Sequence, residues 1–292
     1  MRATDERVKR KQKINLVTTM IEIKDLHYNY AGSKYNVFDG LSVGLDNNSI
    51  YGLLGRNGTG KSTLLYLIAG LLKPKSGSVF TNGMEARKRH PEMLRELYMV
   101  PEEFELPAIS LESFIKIHED FYPHFSRETL ERCLSDFQVQ GIRSLRNISM
   151  GQKKKVFMSF ALASGCELLL MDEPTNGLDI PSKALFRKIV AGNIPEGSTL
   201  VISTHQVHDV EQLLDHIIIL DNCNLLINAS TDEIVGRYEF GYRMPDQMDN
   251  NILYAEPSLQ GNAVVALRQK DSPETPINVE LLFNAAILGK LK

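Results

Sequence analysis

Four short segments of this sequence carry residues that can bind phosphate or activate water. The longest fits the pattern G-x-x-x-x-G-K-[ST]. Its residues are Gly55, Arg56, Asn57, Gly58, Thr59, Gly60, Lys61, Ser62 and Thr63. Glycines let the backbone curl so that successive N–H groups point at a di- or triphosphate, and a helix beginning at Lys61 adds its positive dipole end. Lys61 can reach the β- and γ-phosphates, and the Ser62 hydroxyl is a hard oxygen ligand suited to Mg²⁺. We therefore predict a phosphate-binding loop.

Two further segments place polar residues where apolar strands end. Asp172 and Glu173 follow the apolar run 168–171, and His205 follows a second apolar run, 199–203. Ligands of open α/β sheets sit at the carboxyl ends of the strands. At that position Asp172 can hold Mg²⁺ through water, and Glu173 can orient the water that attacks the γ-phosphate. His205 can donate to the γ-phosphate or to the attacking water, although a lone histidine is more often structural.

The fourth segment, 149–155, reads Ser-Met-Gly-Gln-Lys-Lys-Lys and precedes an apolar helix. Ser149 and Gln152 form an S-x-x-Q capping box, which by itself explains both residues as helix-start chemistry. The same segment is also a second helix N-terminus with a glycine and a hydroxyl, and thus a second site able to bind an anion. Both interpretations stay open at the level of the residues alone. The second would give one chain two phosphate-binding helix starts but one set of Mg²⁺ carboxylates.

The elements around these segments alternate between strands and helices. Apolar periodicity and turn residues predict a mixed α/β block first, then a mainly helical stretch over 86–165, and then a return to α/β. The predicted strands are 21–30, 37–45, 50–54, 78–80, 97–100, 168–171, 200–203, 217–220, 225–228, 252–254 and 263–268. The predicted helices outside the 86–165 stretch are 62–72, 181–190, 231–238 and 279–288. The runs at 168–171 and 200–203 are typical of buried parallel strands.

Composition excludes several classes of protein. The 292 residues are 43% hydrophobic and 24% charged, with a formal net charge of −3, which argues against a protein that coats nucleic acid. No apolar run approaches the roughly 18 residues of a membrane helix and no signal peptide opens the chain, so we expect a soluble cytosolic protein. Three widely spaced cysteines indicate neither a disulfide framework nor a zinc site. Residues 1–19 form a basic tail, which we interpret as disordered, or as an upstream start before Met20, in preference to a lipid-headgroup contact.

Taken together, the segments 55–63, 149–155, 168–179 and 203–205 resemble, in this order, the ATP-binding cassette (ABC) ATPases of transporters. The resemblance covers about residues 20–230. It implies an α/β P-loop NTPase fold with an antiparallel β subdomain, a parallel RecA-like core sheet and an inserted helical subdomain at about 86–165. Residues 231–292 would then be a C-terminal accessory α/β segment.

The resemblance also implies roles for particular residues. ATP and Mg²⁺ would be held by the 55–63 loop, and the nucleotide would be enclosed in a head-to-tail dimer by Ser149, Met150, Gly151 and Gln152 of the other subunit. Glu173 would be the catalytic base and His205 the switch histidine. The loop joining the two sites would be Asn176, Gly177, Leu178 and Asp179. Tyr30 matches the aromatic residue that stacks on adenine, with Tyr28 and Tyr35 as neighbouring alternatives.

The sequence departs from the family pattern at two positions. Met150 stands where the signature usually has its first glycine, and Glu102 stands where the family usually has a glutamine in the Mg²⁺ shell. A carboxylate still suits Mg²⁺, so Ser62, Asp172 and Glu102 are the expected metal-site residues, but Glu102 adds charge and lacks the amide donor.

The segment 278–283 looks like the usual C-terminal helix of exporter ATPases that pair with separate membrane subunits, and signatures of the form S-x-G-x-K-K-K occur in that group. We therefore expect an ATPase subunit of an exporter. It would act at the cytoplasmic face of the membrane as a dimer, with a homodimer favoured over a heterodimer, together with a polytopic permease and without nucleic acid. The alternative is a soluble cassette ATPase in an assembly or repair complex. A small-molecule kinase is disfavoured because the 149–155 and 172–179 segments would then have no role.

Overall fold

A computed structural model describes residues 19–142, 144–269 and 272–291. Its strands are β1 (Thr19–Tyr28), β2 (Phe38–Asp46), β3 (Ile50–Leu54), β4 (Ser76–Thr81), β5 (Met84–Glu85), β6 (Leu97–Val100), β7 (Leu168–Asp172), β8 (Thr199–Thr204), β9 (His216–Asp221), β10 (Asn224–Ser230), β11 (Tyr238–Arg243), β12 (Ile252–Ser258) and β13 (Gly261–Leu267). Its α-helices are α1 (Lys61–Ile68), α2 (Pro91–Arg95), α3 (Leu111–His118), α4 (Arg127–Asp136), α5 (Met150–Ala163), α6 (Ile180–Asn193), α7 (Thr231–Arg237) and α8 (Val279–Ile287). The predicted basic tail lies, apart from Thr19, outside the described residues.

The central element is a six-stranded sheet with the strand order β10-β9-β3-β8-β7-β6. All neighbours pair in parallel except β10, which forms an antiparallel edge hairpin with β9. The register pairs Leu54 with Thr204 and Asp172 with Ser203, so the carboxyl ends of β3, β7 and β8 lie side by side. The predicted α/β fold with a parallel core sheet is therefore confirmed.

A second, antiparallel sheet with the order β2-β1-β4-β5 covers one face of the central sheet together with α1. Its residues share one apolar core with both α1 and the central sheet; examples are Ile21, Leu65 and Leu220. Buried and exposed residues alternate along β2, as expected for a strand with one solvated face. The opposite face of the central sheet packs against α5, α6 and α8 in a separate core. Strands β3, β7 and β8 are thus covered on both faces of the sheet.

The chain between β6 and β7 forms a mainly helical unit that carries α5. The hydroxyls of Ser110 and Ser126 accept hydrogen bonds from the backbone at the starts of α3 and α4, so both helices begin at side-chain caps. Aromatic rings surround Phe160 of α5, with the Phe125 ring centroid 4.8 Å away and Tyr98 in contact as well. This packing fixes α5 against the end of β6.

The final segment combines α7, α8 and a three-stranded antiparallel sheet of order β11-β13-β12. Val265 of β13 and Leu282 of α8 belong to the same core as the central sheet. Within the described ranges, no helix is long and apolar enough to cross a membrane.

Several local predictions differ from the structure in extent, and strands β5 and β11 were not predicted. The helix after the phosphate-binding loop ends at Ile68 instead of residue 72, because Gly70 adopts φ +68° and a Cβ there would lie 2.1 Å from the carbonyl oxygen of Ala86. The chain must turn at this close approach. Strand β11 was missed, since its residues directly follow helix α7 and its apolar alternation is short. The boundaries proposed for the helical subdomain and the C-terminal segment stay predictions.

Candidate functional site

The phosphate-binding loop connects β3 to α1 and owes its shape to two glycines. Gly58 and Gly60 have φ values of +82° and +98°, which other residues adopt only with strain. A Cβ at Gly60 would also lie 2.6 Å from Cγ1 of Val37. Gly60 directly precedes α1, so the first N–H groups of that helix lie at the loop. The loop therefore has the backbone geometry that a phosphate cradle needs.

Lys61 lies at the base of the loop with only 6% of its surface exposed. Its Nζ donates to the carbonyl oxygens of Gly55, at 2.8 Å, and Arg56, at 3.2 Å, and lies 3.7 Å from Oε1 of Glu173. Burial lowers the pKa of Lys61, and the nearby carboxylates of Glu173 and Asp172 act in the opposite direction. The carbonyls and carboxylates thus hold a buried cation beside the loop.

Asp172 ends β7 and is buried. The hydroxyl of Ser203, on the neighbouring strand, donates to its Oδ1, whereas its buried Oδ2 has no hydrogen-bond partner among the described residues. Burial raises the pKa of Asp172, and the Ser203 and Ser62 hydroxyls act in the opposite direction. A buried carboxylate oxygen that lacks a partner is unfavourable unless a cation or water satisfies it.

Glu173 is also buried, and its carboxylate contacts three donors. His205 Nδ1 lies 2.8 Å from Oε1, the Thr204 hydroxyl donates to Oε2 at 3.2 Å, and the Lys61 ammonium approaches Oε1. The residue has φ +45°, a left-handed conformation that is uncommon for a side chain of this kind. Strained conformations of this type cluster at active sites, where surrounding contacts fix them.

Most of the residues predicted to bind nucleotide line a single cleft of about 490 Å³, whereas Gly55, Arg56 and Thr59 of the loop are not part of its lining. Its wall includes Tyr30, Val37, Asn57, Gly58, Gly60, Lys61, Ser62, Thr63, Glu102, Glu173, Asn176 and His205. Glu102 is held there because its Oε1 accepts a hydrogen bond from the Asn176 amide at 2.9 Å. Loop residues, the carboxylates of Glu102 and Glu173, and His205 were predicted separately and lie in one cleft.

The oxygen atoms in this cleft fit a hard divalent cation. Ser62 and Glu102 line it, and Asp172, whose Oδ2 lacks a partner in the described part of the chain, ends a strand of the central sheet. Among the described residues, no group of three or more His, Cys, Asp or Glu side chains is arranged to hold a metal by itself.

Tyr30 stands at the other end of the cleft. Its hydroxyl lies 2.8 Å from Oγ1 of Thr63, and 45% of the residue is exposed, which leaves surface for a base to stack on. Of the two alternatives, Tyr28 is buried and packs edge-on against Tyr30, whereas Tyr35 is 85% exposed. Through its contact with Thr63, Tyr30 is the tyrosine of the three that contacts the loop directly.

We expect Tyr30→Ala to weaken ATP binding about 10-fold, because base–aromatic stacking contributes on the order of 1–3 kcal/mol. Equilibrium titration with ATP would measure this, with Tyr35→Ala as the matched control. Tyr30→Phe should stay close to the parent, since it keeps the ring and loses only the hydroxyl contact with Thr63. A larger effect for Tyr35→Ala would move the stacking role to that residue.

Ser149, Met150, Gly151 and Gln152 lie at the start of α5, and none of them is among the residues that line the cleft. The predicted capping box is present: the Gln152 side chain accepts from the Ser149 N–H at 3.0 Å, and Ser149 Oγ accepts from the Gln152 N–H at 3.2 Å. Met150 is half exposed. The helix start is therefore not part of the cleft that the loop of its own chain lines.

The loop from Asn176 to Asp179 lies between these two regions. Asn176 reaches the cleft, and Asp179 caps α6 by accepting a hydrogen bond from the Ser182 N–H at 2.9 Å. A Cβ on Gly151 would lie 3.6 Å from the carbonyl oxygen of Gly177 and 3.8 Å from Leu178. This loop thus contacts both the cleft and the start of α5 within one chain.

Three side chains in the site had no role in the sequence-based interpretation. Ser203 and Thr204 contact the two carboxylates, and they could have been found as hydroxyl residues ending a strand next to β7. Lys154 is the middle one of three consecutive lysines and is buried. No pattern in the sequence separates it from Lys153 and Lys155.

Comparisons with known proteins agree with this geometry. A family model described as ABC transporter matches residues 38–176. The ABC transporter ATP-binding protein YtrB of Bacillus subtilis (strain 168) is 26% identical over 293 residues, covering 93% of this chain and 99% of the relative. The methionine import ATP-binding protein MetN of Clostridioides difficile (strain 630) is 30% identical over 293 residues, covering 94% of this chain and 88% of the relative.

A solved structure is also similar to this chain. The structure of an ATP-binding subunit of an ABC transporter superposes with a TM-score of 0.65 and 27% identity. The alignment covers 74% of this chain and 92% of that chain.

Proposed function

Because this chain belongs to the ABC transporter family and is an ATP-binding ATPase subunit, we propose that it powers a separate membrane permease by ATP-driven closure of a head-to-tail dimer. The observation that carries this proposal is the division of the site within one chain. Lys61, Ser62 and Glu173 share one cleft, while the Ser149–Gln152 segment lies apart from it. A second copy in the opposite orientation brings that segment to the open side of the cleft.

Hydrolysis in this proposal uses residues already in contact. Glu173 accepts a proton from the attacking water, and His205 and Thr204 orient its carboxylate. Lys61 and the loop N–H groups hold the β- and γ-phosphates. Ser62, Asp172 and Glu102 would hold Mg²⁺, which would supply positive charge to offset that of the phosphates.

The permease would dock on the helical unit at the cytoplasmic face of the membrane. Ile117 and Phe121 support this, because both are large apolar residues that remain 54% and 62% exposed. Exposed apolar side chains in neighbouring positions are typical of protein contact surfaces. Both residues lie within the helical unit between β6 and β7.

The test is co-purification from detergent-solubilised membranes. A polytopic membrane protein should be recovered with the parent chain, and its recovery should fall about 10-fold for the double variant Ile117→Ser/Phe121→Ser, since anchor residues dominate interface energy. ATP binding by the double variant should be unchanged. Recovery of only soluble partners would favour the alternative, an ATPase of an assembly or repair complex.

We further propose that transport is directed outward, on the basis of the S-x-G-x-K-K-K form of the signature and of the closing helix α8. The relative MetN is named for import, so direction needs its own measurement. In proteoliposomes given ATP outside, only complexes with outward-facing ATPase subunits are energised. An exporter should accumulate a solute from the ATP side into the lumen, whereas ATP-dependent loss of a solute from the lumen would indicate import.

A further inference from the structure

Lys154 is a buried lysine that none of the roles above explains. Only 4% of its surface is exposed, although it lies in the run Lys153–Lys155 on α5. Its Nζ donates to the carbonyl oxygen of Glu173 at 3.1 Å and to that of Asn176 at 2.9 Å. Burying an ammonium is costly unless it is hydrogen-bonded, so these two carbonyls are what hold Lys154 inside the protein.

The two carbonyls belong to residues that matter for hydrolysis. Glu173 carries the candidate base, and the Asn176 side chain donates to Glu102 in the cleft. The backbone of Glu173 is fixed from two sides, since its N–H donates to the Ser203 carbonyl at 3.0 Å and its carbonyl accepts from Lys154. Because Glu173 has φ +45°, such contacts are what keep it in this conformation.

The charges around Lys154 are consistent with this position. Burial lowers the pKa of Lys154, while the carboxylates of Glu102, Glu173 and Asp172 act in the opposite direction. The three carboxylates therefore favour the charged form of Lys154. A neutral side chain at this position would remove the ammonium donor from both carbonyls, and among the described residues only the Glu173 carbonyl would keep another donor, the Asn176 N–H at 3.1 Å.

Ser149, the N-cap of the same helix, lies about 7.5 Å from Lys154 along the helix axis. We infer that Lys154 is a positioning residue. Through Lys154, helix α5, whose start closes on the nucleotide of the partner subunit, holds Glu173 and the 176–179 loop of its own subunit in place. This inference rests on the proposed function. Movement of the α5 start on closure would then reach Glu173 through one rigid helix and one hydrogen bond.

Mixed dimers of two tagged copies test this inference. The reference dimer pairs an unchanged copy with a Glu173→Gln copy, so that one base remains. In the first test dimer, Lys154→Met is placed on the copy that keeps its Glu173. In the second, Lys154→Met is placed on the copy that also carries Glu173→Gln, so the remaining base lies in the unchanged chain.

We expect the first test dimer to hydrolyse ATP about 10- to 100-fold more slowly than the reference, because small displacements of a reacting group cost this much. The second test dimer should stay within about 2-fold of the reference, since its base keeps its own Lys154. Equal losses in both arrangements, or a larger loss in the second, would overturn the inference. A parent protein that neither dimerises nor hydrolyses ATP would instead overturn the proposed function.

Unmixed variants provide a second measurement. Lys154→Met should lower kcat about 10- to 100-fold while leaving the Kd for ATP within about 2-fold, and Lys154→Gln, which keeps an amide donor, should fall between Lys154→Met and the parent. The exposed Lys188→Met on α6 is the control for loss of one lysine charge. Parent-like turnover in Lys154→Met, or equal losses of ATP affinity and kcat, would contradict a positioning role.

Discussion

Replacing Glu173 by glutamine is expected to leave ATP binding intact and to lower hydrolysis about 10²- to 10⁴-fold, the usual contribution of a general base. Glutamine keeps the size of the side chain and its ability to accept from Thr204, but it cannot take a proton from water. Since closure depends on bound ATP and not on the base, the variant should accumulate as an ATP-bound dimer. Single-turnover hydrolysis and size-exclusion chromatography with ATP measure the two effects.

The control for Glu173→Gln is Glu105→Gln, which removes one carboxylate from an exposed position outside the cleft. It should hydrolyse ATP at the parent rate and should not accumulate as a dimer. If Glu173→Gln also hydrolysed ATP at the parent rate, Glu173 would have no role as base. The general base would then be another residue of the cleft, and Glu102 would be the next residue to change.

Replacing Lys61 by alanine is expected to lower ATP affinity about 100-fold, in line with the loss of a charge-assisted hydrogen bond to phosphate. The ammonium is already in the cleft, held by the carbonyls of Gly55 and Arg56, so its position needs little rearrangement to meet a phosphate. Isothermal titration with ATP measures the loss directly. Turnover should fall at least as much as affinity.

Lys61→Ala also removes the cation next to Glu173, so the fold of the variant must be checked by circular dichroism and thermal melting. Lys73→Ala, an exposed lysine beyond the same helix, is the matched control and should bind ATP like the parent. Undiminished turnover by a folded Lys61→Ala protein would refute the assignment of the phosphate-binding loop.

The sequence predicted most of the residues that line the cleft, with Val37 as an exception. Lys61, Asp172 and His205 each follow or precede an apolar strand, and the carboxyl ends of neighbouring parallel strands lie at one edge of a sheet. The order of the strands did not have to be known for this. The capping box of Ser149 and Gln152 was likewise predicted, because its geometry depends on four consecutive residues only.

Other features depend on register and packing, which the sequence does not encode locally. Ser203 meets Asp172 only because β7 and β8 pair with these two residues opposite each other. Lys154 points inward because of how α5 lies against the end of β7, while Lys153 and Lys155 stay partly exposed. The early end of α1 follows from contact between Gly70 and the distant Ala86, which no pattern within the helix indicates.

Crosslinking can test directly whether Ser149–Gln152 of one subunit closes on the ATP of another. Met150 is half exposed at the start of α5 and can be replaced by a photoreactive phenylalanine in the Glu173→Gln protein. After mixing isotopically light and heavy copies, ATP should produce crosslinks from position 150 of one copy to residues 55–63 of the other, identified by mass spectrometry. Crosslinks that are independent of ATP, confined to one copy or directed to another surface would contradict the head-to-tail dimer.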